Sequence, residues 1–198
     1  SAMHQEKACI FFNRALSILK KSQNEAQFAY LCGFICHFIL DSNCHGYINI
    51  VMEETKLTHF EIETELDRDF MLKDDRDPLR THLTDHILIN DRILNTIESF
   101  FEASKKDLKK SLKGMKFFDH LLVAPQLYKR GLIYFVLLIS FTYKRFQGFI
   151  VNYRANKKII PYINYLEDLF NKSIDESIIC IYDFIDALKN NNSLSKRF

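Results

Sequence analysis

Apolar residues recur at helical spacing along most of the chain. Ala8, Phe11, Ala15, Leu16 and Leu19 fall on one stripe and predict a first helix over about 4–21. His4 lies one turn before Ala8 on the same stripe, pointing inward. Ser22 and Glu25 read as a capping box opening a second helix over about 24–41. That helix is apolar on nearly all sides from Phe28 to Leu40 and is expected to be central. Ala29 and Gly33 precede His37 and Asp41 at four-residue steps, and small residues there would admit a neighbouring helix or a metal. The run Asp41-Ser-Asn-Cys-His-Gly is expected to end the helix, with Gly46 supplying a loop. Thr58 and Glu61 form a second capping box, opening a helix over about 59–72. On it His59, Glu63 and Asp67 share a face with Leu66 and Phe70. Glu61, Glu65 and Asp69 form another face, expected to be a solvated acidic edge.

Lys73 to Pro78 reads as a linker. Further helices are predicted over about 79–83, 87–106, 108–122 and 126–144. Ser173 with Glu176 is expected to cap a last helix in which Ile178, Ile181, Tyr182, Ile185 and Leu188 repeat at helical spacing. No hairpin and no internal repeat is visible. The pattern predicts an all-α, single-domain bundle over residues 4–188 with a polar tail over 189–198. Residues 1–3 (Ser-Ala-Met) read as an expression scar running into a start methionine. The longest uncharged apolar stretch, Gly131 to Tyr143, falls short of the roughly 20 residues that span a bilayer. It is expected to be a core helix of a soluble protein.

Composition adds constraints. With only Gly 5 and Pro 3, the many turns of an all-β protein are poorly supplied. A net charge of +2 is too weak to imply a nucleic-acid partner. The cysteines are Cys9, Cys32, Cys36, Cys44 and Cys180, an odd number, with Cys32 and Cys36 inside an apolar segment. They are expected to be buried reduced thiols in a reducing, cytoplasmic compartment. Gly-rich phosphate loops and serine nucleophile motifs are absent.

The candidate chemistry lies in His37, Asp41, His45, His59 and Glu63. They read His-xxx-Asp-xxx-His and then, fourteen positions on, His-xxx-Glu. On a helix, i,i+4 spacing puts both side chains on one face, one turn apart. Imidazole nitrogen and carboxylate oxygen are zinc donors, and such a stripe on a core helix is costly unless paired or metal-bound. The spacing supports two neighbouring centres, one from His45, His59 and Glu63, the other from His37, Asp41 and His4. Two histidines and a carboxylate leave a coordination position open, as in catalytic zinc sites, although such sets also hold iron. Cys44 reads either as an adjacent thiol or as a further ligand. His82 and His86 form a weaker His-xxx-His pair that could cap or bridge with Asp85 and Asp91, and His120 reads as an isolated structural residue. Six lysines between Lys105 and Lys116 read as a solvated helix face, or as a surface attracted to anionic lipid headgroups.

Two segments carry a family resemblance: Tyr30-Leu-Cys-Gly-Phe-Ile-Cys-His-Phe-Ile-Leu-Asp-Ser-Asn-Cys-His-Gly-Tyr and Thr58-His-Phe-Glu-Ile-Glu. Together they resemble the zinc-dependent phospholipase C family, whose all-helical fold is shared with zinc single-strand nucleases. The likeness is greatest to an intracellular branch found in firmicute bacteria, whose loop reads His-Pro-Tyr where this chain has Gly46. It implies that His37, Asp41, His45, His59 and Glu63 are metal ligands, and that His4 matches a ligand opening an earlier helix. It implies on the order of one to three zinc ions that clamp phosphate oxygens and activate a water. It also implies an N-terminal segment, carrying further ligands and a Gly-Pro-Asp aspartate, which this sequence lacks. Glu63 and Asp41 are then the carboxylates available for proton transfer, and Asp67 is expected to orient a ligand histidine. The expected function is a metal-dependent phosphodiester hydrolase acting on phospholipid. The alternatives are a non-catalytic metal-binding helical module, dimerising over an uncovered face, or a zinc nuclease using Tyr143-Lys-Arg-Phe and Asn152-Tyr-Arg as a basic aromatic groove.

Overall fold

The computed structural model describes residues 8–190 together with Asn192 and Leu194. His4 and the three residues before it lie outside the described residues. The described residues form eight α-helices in order: α1 (Ala8–Ser22), α2 (Glu25–Thr55), α3 (His59–Lys73), α4 (Asp91–Glu98), α5 (Lys105–Leu122), α6 (Leu127–Ile139), α7 (Tyr143–Phe146) and α8 (Ile160–Asn190). A 3-10 turn, Gln147–Phe149, follows α7. Among the described residues there is no strand, so the all-α expectation holds. No helix among them is long and apolar enough to cross a membrane.

The chain divides into two compact units. The first comprises Ser1–Ser42, Ile89–Ser111 and Asn171–Phe198; the second comprises Asn43–Leu88 and Leu112–Phe170.

In the first unit the α1 stripe of Phe11, Phe12, Ala15, Leu16 and Leu19 is buried with Leu31, Ile35 and Ile39 of α2, Phe100, and Cys180, Phe184 and Ala187 of α8. Aromatic rings fill much of this core: Phe11 lies 4.7 Å from Phe34, and Tyr30 stacks on Phe100 at 5.7 Å. The cap of α2 is Asn24 rather than Ser22. Asn24 Oδ1 accepts from the backbone N–H groups of Ala26 and Gln27 at 2.9 and 3.2 Å. Ser22 instead donates to the side chain of Gln27, which donates on to Ser99. One expectation fails here. Cys36 is exposed rather than buried, because the buried side of α2 is the Leu31, Ile35, Ile39 side. Among the described residues a Cβ on Gly33 would meet nothing within 4 Å, so the space over it is open.

The predicted helix over 87–106 is cut short. Asn90 Oδ1 accepts from the N–H of Ile93 and opens α4, while Ser104 Oγ accepts from the N–H of Asp107 and opens α5. Short polar side chains that satisfy free helical N–H groups set these boundaries. In α8 the opposite happened. Ser173 is buried mid-helix rather than at a cap, and Ser177 Oγ donates to its carbonyl at 2.6 Å. Leu166, Ser173, Ser177, Cys180, Phe184 and Ala187 are buried at helical spacing, one continuous stripe through the expected start.

The second unit carries the other large correction. α2 does not end at Asp41–Gly46 but runs on to Thr55. Cys44, Ile48, Val51 and Thr55 continue the buried stripe, and no glycine in the described chain has a positive φ. The helix stops at Lys56, whose φ of 62° lies in the left-handed region. The capping box at Thr58 forms as predicted: Thr58 Oγ1 accepts from the N–H of Glu61, and Glu61 Oε2 accepts from that of Thr58 at 2.8 Å. Gly148 packs against this box so closely that a Cβ would stand 2.8 Å from the Glu61 nitrogen. Glu65 is no solvated edge residue. It is 4% exposed and accepts from Asn152 Nδ2 and from the Asn156 N–H.

Residues 79–83 form turns rather than a helix, and 126–144 divides into α6 and α7 around Ser140–Thr142. The expected core helix α6 is largely a surface helix. Its Ile133 is buried with Ala124 and Ile150, and Arg130 is also buried. Leu127, Tyr128, Leu132, Phe135, Leu138 and Ile139 are exposed, and Phe141 beyond its end is 96% exposed.

Candidate metal centre

His59 is the first residue of α3, so the Thr58 capping box fixes its backbone directly. One turn on, Glu63 Oε1 lies 2.8 Å from His59 Nε2. The ring of His45, from α2, stacks on that of His59 with centroids 4.8 Å apart. Behind His59 its neighbour Phe60 stacks on Phe149 at 4.0 Å, a rigid apolar backing for the start of α3. All three polar residues belong to the second unit and are half-buried. Two imidazoles and a carboxylate match the borderline-soft chemistry of zinc.

Asp67 follows Glu63 by one turn. Desolvation, and then the Glu63 charge, push its carboxyl up to about 6. Its accessible edge lets solvent relieve part of that desolvation. Crowding of negative charge beside two imidazoles is an environment that a cation would stabilise.

His37 and Asp41 belong to the first unit, with His37 exposed beside Phe34 and Asp41 half-buried. Because α2 is unbroken, His37, Asp41 and His45 follow one another at four-residue steps on one helix. Cys44 is buried among the apolar residues of α2.

Among the described residues, three ligand atoms within 4.8 Å of one another occur at His82, Asp119 and His120. His45, His59 and Glu63 are thus joined as a stacked pair and a bonded pair, without closing to that size. His120 is not isolated: its ring stacks on His82 at 4.0 Å and 12°. His86, the sequence partner proposed for His82, is exposed. Nothing in local spacing signals this cluster, because its halves lie more than thirty residues apart.

The family model for zinc dependent phospholipase C matches residues 2–115, more than half of the chain. The chain belongs to that family. No curated protein and no solved structure matches it. The matched residues include every member of the His37-to-Glu63 series, and the family's description carries zinc dependence.

Proposed function

We propose that this chain is a zinc-dependent phosphodiester hydrolase acting on phospholipid, with His45, His59 and Glu63 as its zinc ligands in the second unit. The observation that carries this reading is the His59–Glu63 contact at 2.8 Å with the His45 ring stacked on it, at positions inside the matched family residues. His37 and Asp41, with His4, are the proposed ligands of a second centre. Bound zinc would polarise a phosphate oxygen and lower the pKa of a coordinated water toward about 7. The chain's own part is to hold the imidazoles in place from a capped helix start and to keep Glu63 as ligand and proton acceptor. Asp67 follows Glu63 by one turn, and burial and then the Glu63 charge raise its carboxyl.

The phospholipid class is supported by the surface of the same unit. Leu132, Phe135, Leu138, Ile139 and Phe141 present an apolar surface, with exposed Lys144 and Arg145 following it. Apolar residues flanked by cations suit the boundary of an anionic bilayer. The groove proposed for a nuclease is less well supplied. Asn152 is spent on Glu65, and Tyr153 donates to the Pro125 carbonyl beneath Arg130.

Hydrolysis of a chromogenic phosphocholine diester by the zinc-loaded chain tests the proposal. Turnover that Glu63→Gln abolishes is expected. No turnover with zinc bound at His59 and Glu63 would reduce the chain to a metal-binding module.

A further inference from the structure

A second cluster of ligand side chains lies in the second unit, away from the proposed zinc centre in sequence and built from different elements. The loop between α3 and α4 supplies His82, and the end of α5 supplies Asp119 and His120. One ligand atom from each falls within 4.8 Å of the other two. Two of the three residues lie beyond the residues that the family model matches.

Three observations set this group apart from a chance gathering of polar side chains. His82 Nδ1 is buried and makes no hydrogen bond, while the nearest carboxylate oxygen, Asp119 Oδ2, is 3.5 Å away. A buried imidazole nitrogen without a partner is costly, and a metal ion would satisfy it. Asp119 is held in place before any ligand arrives: Thr84 Oγ1 donates to Oδ2 at 2.9 Å and the Leu83 N–H to Oδ1 at 3.3 Å. A carboxylate has further lone pairs for a cation beyond those two bonds. His120 has its own polar partner, with Nε2 3.1 Å from Asp85 Oδ1. Partners of this kind fix the ring angle of metal-bound histidines.

The loop itself is tied down. Lys116, one turn before His120, donates from Nζ to the carbonyls of Thr84 and Ile87 at 2.8 and 3.1 Å. His82 and Asp85 are therefore carried by a segment fixed to the helix that bears the other two ligands.

We propose that His82, Asp119 and His120 bind a divalent transition metal of the zinc type, as a site separate from His45, His59 and Glu63. Ligand atoms around a tetrahedral zinc stand about 3.4 Å apart, as bonds of about 2.1 Å require. Small rotations that splay the two stacked rings would draw the cluster onto the ion. Three protein ligands leave the fourth position to water. Clamping the loop to α5 is the structural consequence.

Calorimetric titration of Zn2+ into the metal-stripped full chain tests this site. His120→Ala removes a half-exposed side chain, and Asp119→Asn keeps the carboxamide oxygen for the Leu83 N–H. Each should eliminate or weaken by at least about tenfold one binding event. The His59→Ala, Glu63→Ala chain should retain that event. Co2+ absorption, read on the same variants alongside far-UV circular dichroism, separates ligand loss from unfolding. Parental stoichiometry and affinity in folded His120→Ala and Asp119→Asn chains would overturn the proposal, whatever the outcome at His59 and Glu63.

Discussion

The carboxylate of Glu63 meets Nε2 of His59 at 2.8 Å, one turn away on α3. A zinc ion bound there, as proposed, would take over a pair of groups that already meet. A ligand that binds the folded chain and not the unfolded one adds about 2.7 kcal/mol of stability at a hundredfold excess over its Kd. Chelation should lower the Tm by several degrees in the parent, and by a smaller amount in His59→Ala, Glu63→Ala. Thermal scans with and without chelator check this; an equal shift in both would place the stabilising metal elsewhere.

Gly148 is the position where the site's scaffold has least room. A methyl group there would press on the Glu61 nitrogen and on Thr58 Oγ1, the atoms of the capping box that starts at His59's own neighbour. Gly148→Ala should cost about 1–3 kcal/mol and weaken zinc binding at the same time. Urea denaturation and zinc competition on one preparation would show whether the two losses travel together.

Glu65 joins α3 to the segment before α8 by accepting two hydrogen bonds while 4% exposed. Glu65→Ala strands the Asn152 and Asn156 donors and should destabilise the fold by about 2–4 kcal/mol. Glu65→Gln, which keeps an acceptor oxygen, should lose less. Denaturation midpoints of the two variants give the comparison.

The exposed face of α6 should hold the protein on anionic vesicles. Each large apolar side chain inserted contributes about 1.5–3 kcal/mol, so Phe135→Ser with Phe141→Ser should cut vesicle binding at least about tenfold. Co-sedimentation with anionic and with neutral vesicles reads this out. Equal binding of parent and variant would remove α6 from the lipid-contact account.

Much of this was legible in the sequence, for identifiable reasons. The helical class, the α1 stripe and the Thr58–Glu61 box depend on short-range periodicity and capping, which a single stretch of chain displays. The His37-to-Glu63 series was visible for the same reason. The errors arose where tertiary packing overrode a local signal. Gly46 looked like a helix end, but the buried stripe of Cys44, Ile48 and Val51 carries the helix through it. Ser173 looked like a cap and is a buried mid-helix residue. α6 looked like a core helix because hydrophobicity alone does not say which faces find a partner. The His82–His120 stack was invisible, since it depends on a loop folding back to a helix end.

The most direct test of the central claim is the zinc content per chain of His59→Ala, Glu63→Ala against the parent, by elemental analysis after equilibration with zinc. The account predicts the loss of one bound ion in a variant whose helical circular dichroism is unchanged. Parental zinc content in that variant would contradict it.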